Sequence, residues 1–166
     1  MATLATLVAD GSLLRWDVAL SPRQQIERQL LLLPRLRDSL DAALSGGSMW
    51  NIEETPAQQL DALTAVFASG EPLAFGWQFK PLARVPHVEG VWYLKTADVR
   101  LFGWFPYRDC FIAASVGLAD LTKRLWLYRP FGQEVVHFRN ALTLDEPKFV
   151  SEEDPNAVVS NFSYPA

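Results

Sequence analysis

Between Val91 and Phe105 the chain reads VWYLKTADVRLFGWF, which sets Lys95 and Arg100 among Trp92, Phe102, Trp104 and Phe105. Cations beside aromatic rings suit one kind of chemistry above others. A planar arginine fork grips two phosphate oxygens, a lysine adds a point charge, and tryptophan or tyrosine stacks a splayed base. More material of the same kind follows: Lys123, Arg124, Tyr128, Arg129 and Arg139. A ribonuclease that uses the substrate's own 2′-hydroxyl can run on such groups, because it needs a base, an acid and cations but no metal. The competing reading is ordinary packing and solvation on the rim of a sheet.

Other chemistries lack their residues. His87 and His137 lie far apart, and no HxH, HExxH or cysteine pair occurs. Neither GxGxxG nor GxxxxGK is present, nor is a GxSxG elbow. Cys110 is the sole cysteine, so an internal disulfide is excluded, and it reads as an inert buried thiol. No cofactor is expected.

The whole chain carries a net charge of −4, which argues against a generic nucleic-acid binder. The distribution is uneven. Residues 1–79 hold five basic and nine acidic groups, residues 80–140 nine basic and five acidic, and residues 141–166 one basic and five acidic. A basic middle lies between acidic ends.

The elements that must position these residues can be read from the pattern. Hydrophobic residues are 49% of 166, enough for one domain with a core. No run approaches the roughly 18 apolar residues of a membrane span, the N-terminus has no basic leader, and a cytoplasmic setting is expected. Leu4–Ala9, Asp10-Gly11 and Leu13–Val18 predict a hairpin. Ser21-Pro22-Arg23-Gln24 predicts a helix start, continued by Ile26, Leu30, Leu33, Leu36 and Leu40 and interrupted at Pro34. Thr55-Pro56-Ala57-Gln58 predicts a second helix that ends at Gly70. From Leu73 the texture becomes that of a β-meander: Ala74–Leu82, Gly90–Leu94, Val99–Phe105 and Cys110–Ser115. A short helix from Asp120, a turn at Arg129–Gly132 and a last helix over Gln133–Leu142 complete the list. The reading is a single α+β domain over 1–143, with helices on one face of an antiparallel sheet and an acidic tail over 144–166 that Phe149, Val158 and Phe162 could pin down. Alternation places Val99, Leu101 and Phe105 toward the helices, leaving Arg100, Phe102 and Trp104 on a face that the tail, a second subunit or a ligand must cover.

This order of elements, with 92-WYLKTADVRLFGWF-105, 111-FIAAS-115 and 121-LTKRLWLY-128, resembles the RelE/HigB-type toxins and their phage-derived relatives. The resemblance implies a metal-free endoribonuclease that cuts mRNA on the ribosome and is neutralised by an antitoxin protein. Carried over by position, Lys95, Arg100, Arg124 and Tyr128 would be catalytic, and Lys123, Arg129 and Trp104 would bind substrate. The alternative is a non-enzymatic interaction module on a similar scaffold, a phage-derived accessory protein. The partners to expect are therefore RNA or the ribosome, an antitoxin or other protein, or a second copy in a homodimer, and no membrane.

Overall fold

The computed structural model describes residues 1–165, and they form an α+β fold around one six-stranded sheet. Three strands form its centre: β5 (Val91–Lys95), β6 (Val99–Tyr107) and β7 (Cys110–Leu118), paired antiparallel through short turns. Nearly every residue of these strands is buried. Strands covered on both faces read as continuous apolar runs, and this explains why VWYL and CFIAA lack polar alternation. The short edge strand β4 (Phe79–Pro81) pairs with β5.

On the far side of β7 the structure departs from expectation. Gln29–Leu32 is not helix but strand β2, and it runs parallel to β7, with Gln29 opposite Cys110 and Leu32 opposite Ala113. A two-residue strand β1 (Leu14–Arg15) closes that edge. The four consecutive leucines decide the matter. Leu30 and Leu32 enter one core, and Leu31 and Leu33 enter the other, a period of two that no helix provides. Ser21 caps nothing: its backbone N–H donates to Gln24 Oε1, and Gln24 N–H returns to Ser21 O, closing an isolated turn. After Pro34 the predicted helical pattern is realised as α2 (Leu36–Ala43).

The expected N-terminal hairpin is also replaced. Leu4–Ala9 is helix α1, capped by the Thr3 side chain, which accepts from Thr6 N–H. Asp10-Gly11 ends that helix, with Gly11 at φ 83°, instead of joining two strands. The same dipeptide signals either event, and the Leu4/Leu7 spacing fits a helix as well as a strand. Helix α3 (Pro56–Ser69) matches its signature fully: Thr55 accepts from Gln58 N–H, Gln58 reaches back to Thr55 N–H, and Gly70 ends it in the left-handed region.

Helices cover both faces of the sheet, not one. Helices α2 and α3 bury Leu36, Leu40, Leu60, Leu63 and Phe67 against Val99, Leu101, Phe105 and Phe111. The opposite face carries Tyr93, Phe102, Trp104 and Ile112, covered by α1 and by α5 (Tyr128–Ala141), which presents Phe131 and Val135. Val99, Leu101 and Phe105 thus face helices as alternation demanded, and the aromatic face of Arg100 and Trp104 is covered from within the chain. Helix α5 absorbs Arg129–Gly132, read as a turn, into its first turns. Pro130 is tolerated there because the opening N–H groups have no intrahelical acceptor. Gly132 is needed there for contact: a Cβ would stand 2.5 Å from Leu82 Cδ2. A shorter helix, α4 (Ala119–Arg124), joins β7 to α5.

Residues 144–165 are built into the body. Trp104 Nε1 donates to Lys148 O, Val150 N–H donates to Phe105 O, and Phe149 lies under the Arg139 guanidinium. Val158, in the single turn α6 (Pro155–Val158), is fully buried. Phe162, in β8 (Phe162–Ser163), packs on the same core while β8 pairs with β3 (Leu73–Ala74). No helix among the described residues is long and apolar enough to cross a membrane.

Candidate functional site: a basic aromatic groove

The β5–β6 register places Lys95 opposite Arg100 and Tyr93 opposite Phe102, and the β4–β5 register places Lys80 opposite Tyr93. Directly paired residues share a face. Lys80, Tyr93, Lys95 and Arg100 therefore project together on the α5 side, where α4 brings Lys123 to them.

The turn that carries this cluster is tightly held. Thr96 and Val99 exchange hydrogen bonds, and Gln59 of α3 accepts from Asp98 N–H and from Thr96 Oγ1. The buried Asp98 carboxylate accepts from Met49 N–H and Gln59 Nε2. Burial opposes its charge, but hydrogen bonds from Ser48, Gln59 and Met49 together with the Arg100 charge win, and its pKa falls below the ordinary carboxylate value. The same turn receives Trp50 Nε1 at Ala97 O, 3.1 Å. A loop tryptophan is thereby fixed beside the cations.

Two clefts adjoin. The first, of about 510 Å³, is lined by Lys95, Thr96, Arg100 and Lys123, with Trp50 and Trp77 also contributing. These tryptophans are 52% and 68% exposed, large apolar surfaces in water. The second, of about 870 Å³, is lined by Lys80, Arg84, Tyr93, Trp126, Tyr128 and Arg129, with small and apolar residues between them. Tyr93 and Lys95 are two residues apart on one face of β5, so the clefts meet along a strand rise of about 7 Å. Six cations and five aromatic side chains line the pair, and no Asp or Glu does. In a chain of net charge −4 that segregation is the site's main electrostatic feature.

The charges act on one another. Lys95 Nζ donates to Gly76 O at 3.2 Å and has no carboxylate partner among the described residues. Burial, then Arg100, Lys80 and Lys123, bring its pKa down to about 8. Burial and the neighbouring Tyr128 push Tyr93 up to about 12, against the pull of Arg100. Arg100 is 3% exposed; its Nη1 serves Thr96 O and Val99 O, and its Nε has no partner. Strained backbone presents the rim: Asn51 beside Trp50, Arg84 and Trp126 all have φ between 53° and 63°. Non-glycine residues in that region cost energy and cluster at ligand-binding places.

The groove brings together Lys95, Arg100 and Lys123 of the sequence-predicted set, with Tyr128 and Arg129 in the adjoining cleft. It does not include the other two. Arg124 turns away and pairs with Asp120 at 3.4 Å on its own helix. Trp104 is fully buried and cannot stack a base, because α5 and residues 144–150 cover its face. Lys80, Arg84, Trp50, Trp77 and Trp126 were not anticipated. Only Lys80 carried a readable signal, as a lone cation in the apolar run Gln78–Leu82. The described residues contain no group of three or more His, Cys, Asp or Glu placed to hold a metal ion. No protein-family model, curated protein or solved structure matches this chain.

Proposed function

We propose that the groove binds single-stranded RNA, with phosphates on Lys80, Lys95 and Lys123 and unstacked bases on the exposed tryptophans. The observation that carries this reading is the lining: six cations, five aromatic rings and, among the described residues, no Asp or Glu. A flexible polyanion with stackable rings uses every part of such a surface, whereas an acidic or apolar protein partner would leave either the rings or the charges unused. The resemblance to RelE/HigB-type toxins adds cleavage of the bound strand. Lys95, with its pKa near 8, is the side chain suited to accept a 2′-hydroxyl proton, and Arg100 lies beside it. Against cleavage, Arg124 lies outside the groove and Arg100 Nη1 is engaged by carbonyls. Binding is the conclusion, and cleavage is the second reading.

Anisotropy of a labelled single-stranded RNA, titrated at several salt concentrations, tests it. Binding should weaken with salt, the log–log slope falling by about 0.7 for each phosphate-contacting cation removed, as in Lys123→Ala. Salt-independent binding, or none at low salt, removes the proposal. The same samples, run on a gel with and without ribosomes, test strand cleavage.

A further inference from the structure

Among the lysines of this chain, Lys95 differs in its surroundings from Lys123 and Lys148. There are four, at 80, 95, 123 and 148. Lys123 is exposed, and Lys148 Nζ is held by the carbonyls of Asn140 and Leu142. Lys95 lies half-buried at the first cleft, its amine on a single carbonyl at 3.2 Å, with no carboxylate of the described residues within ion-pairing distance. The charged groups that face it are Arg100 from β6, Lys80 from β4 and Lys123 from α4, all of one sign. An ammonium ringed by cations and partly desolvated gives up its proton readily, and a neutral amine is a nucleophile. The same cations can hold an anionic group next to it.

We infer that Lys95 is a reactive amine that forms a Schiff base with a phosphate-bearing aldehyde or ketone, the anion being held by Lys80, Lys123 and the edge of Arg100. In the step, the neutral Nζ lone pair attacks the carbonyl carbon and the carbonyl π pair moves to oxygen, which takes a proton. The carbinolamine then expels that oxygen as water while nitrogen forms the C=N bond. The sum is amine plus carbonyl giving imine plus water, with no oxidant or reductant. The lowering of the Lys95 pKa to about 8 supports the step, because about half of the amine is then neutral at that pH. The inference uses the same cleft as the RNA reading but does not depend on it.

Pyridoxal 5′-phosphate is a suitable probe, since it carries both an aldehyde and a phosphate. The full chain is incubated with it at pH 8, reduced with borohydride and mapped by peptide mass. Lys95 should be labelled at least about tenfold faster than Lys148, as expected where one amine is half neutral and an ordinary lysine is protonated. Inorganic phosphate should slow that labelling, and pyridoxal without the phosphate should label Lys95 far less. Lys95→Arg keeps the charge and should remove the fast phase, with circular dichroism unchanged. Equal labelling of the four lysines, or a rate indifferent to the probe's phosphate, overturns the inference. Added single-stranded RNA separates the two ideas: if Lys95 is labelled fast but RNA gives no protection, the RNA reading fails and the reactive amine stands.

Discussion

Two buried arginines sit near opposite ends of β7, and they solve the same problem differently. Arg28, just before β2, is 1% exposed. Its Nη atoms donate to the carbonyls of Phe67, Glu71 and Asn161 at 2.8–2.9 Å and its Nε lies 3.5 Å from the Asp109 carboxylate. Burial lowers its pKa, but Asp109 pulls the other way and the charge is kept. This arginine ties the end of α3, the β6–β7 turn and the C-terminal segment into one joint. At the other end, Arg100 is as deep, yet only Nη1 is engaged, and its nearest cross-strand neighbour is another cation. A buried charge with three close carbonyls and a carboxylate beside its Nε is a structural joint; a buried charge with two carbonyls, a cation across the strand and Asp98 on the neighbouring turn is less completely matched.

The largest expected effect tests that contrast. Arg28→Ala strands three carbonyls and Asp109, and should cost about 3 kcal/mol in urea unfolding, while Arg100→Met, which removes a buried charge with fewer close partners, should stay within about 1 kcal/mol. Equal losses would erase the distinction between the two ends. Next, Lys95→Met should raise stability at pH 7 by on the order of 1 kcal/mol, after discounting for its partial exposure, while weakening RNA binding. The sign follows from protons. The folded form gives up the Lys95 proton near pH 8 and the unfolded chain near 10.5, so the penalty is full below pH 8 and fades as pH rises toward 10.5. The advantage of the variant should therefore shrink over that window, and a constant advantage would mean that the lysine is not desolvated. Of similar size is Thr55→Ala, at the start of the helix whose far end Arg28 holds, with a loss of about 1 kcal/mol. The smallest effect is Ser21→Ala, which should leave the urea midpoint within about 0.5 kcal/mol, because Ser21 offers only its backbone to a turn.

The β-meander was legible in the sequence because branched and aromatic runs separated by Thr96–Asp98 and Tyr107–Asp109 admit little else. Helix α3 was legible because its cap is local. What escaped is non-local. Leu30–Leu33 has no inherent period, and only the pairing of β2 with β7, about eighty residues along the chain, makes it a strand. The site divides in the same way. Lys95 and Arg100 were visible because a short turn makes them partners, and Lys123 because it follows β7 directly. Trp104 was misjudged because its burial depends on α5 and on Lys148, remote in sequence. Trp50 and Trp77 were missed because loops bring them to the groove, one of them through Asp98, and no periodicity reports a loop's destination.

The parallel partnership of β2 and β7 has a consequence for how the molecule is made. Closing a loop of about eighty residues is entropically costly, so the locally connected meander should assemble first and β2 should dock late. During synthesis four adjacent leucines emerge long before their partner exists, and a bare hydrophobic strand is a template for aggregation. The run is flanked by Arg28 on one side and by Pro34, Arg35 and Arg37 on the other. Charges and prolines in such positions discourage intermolecular pairing. In the nascent chain Arg28 would guard this segment from neighbours, and only when β7 arrives would it turn inward to become the joint.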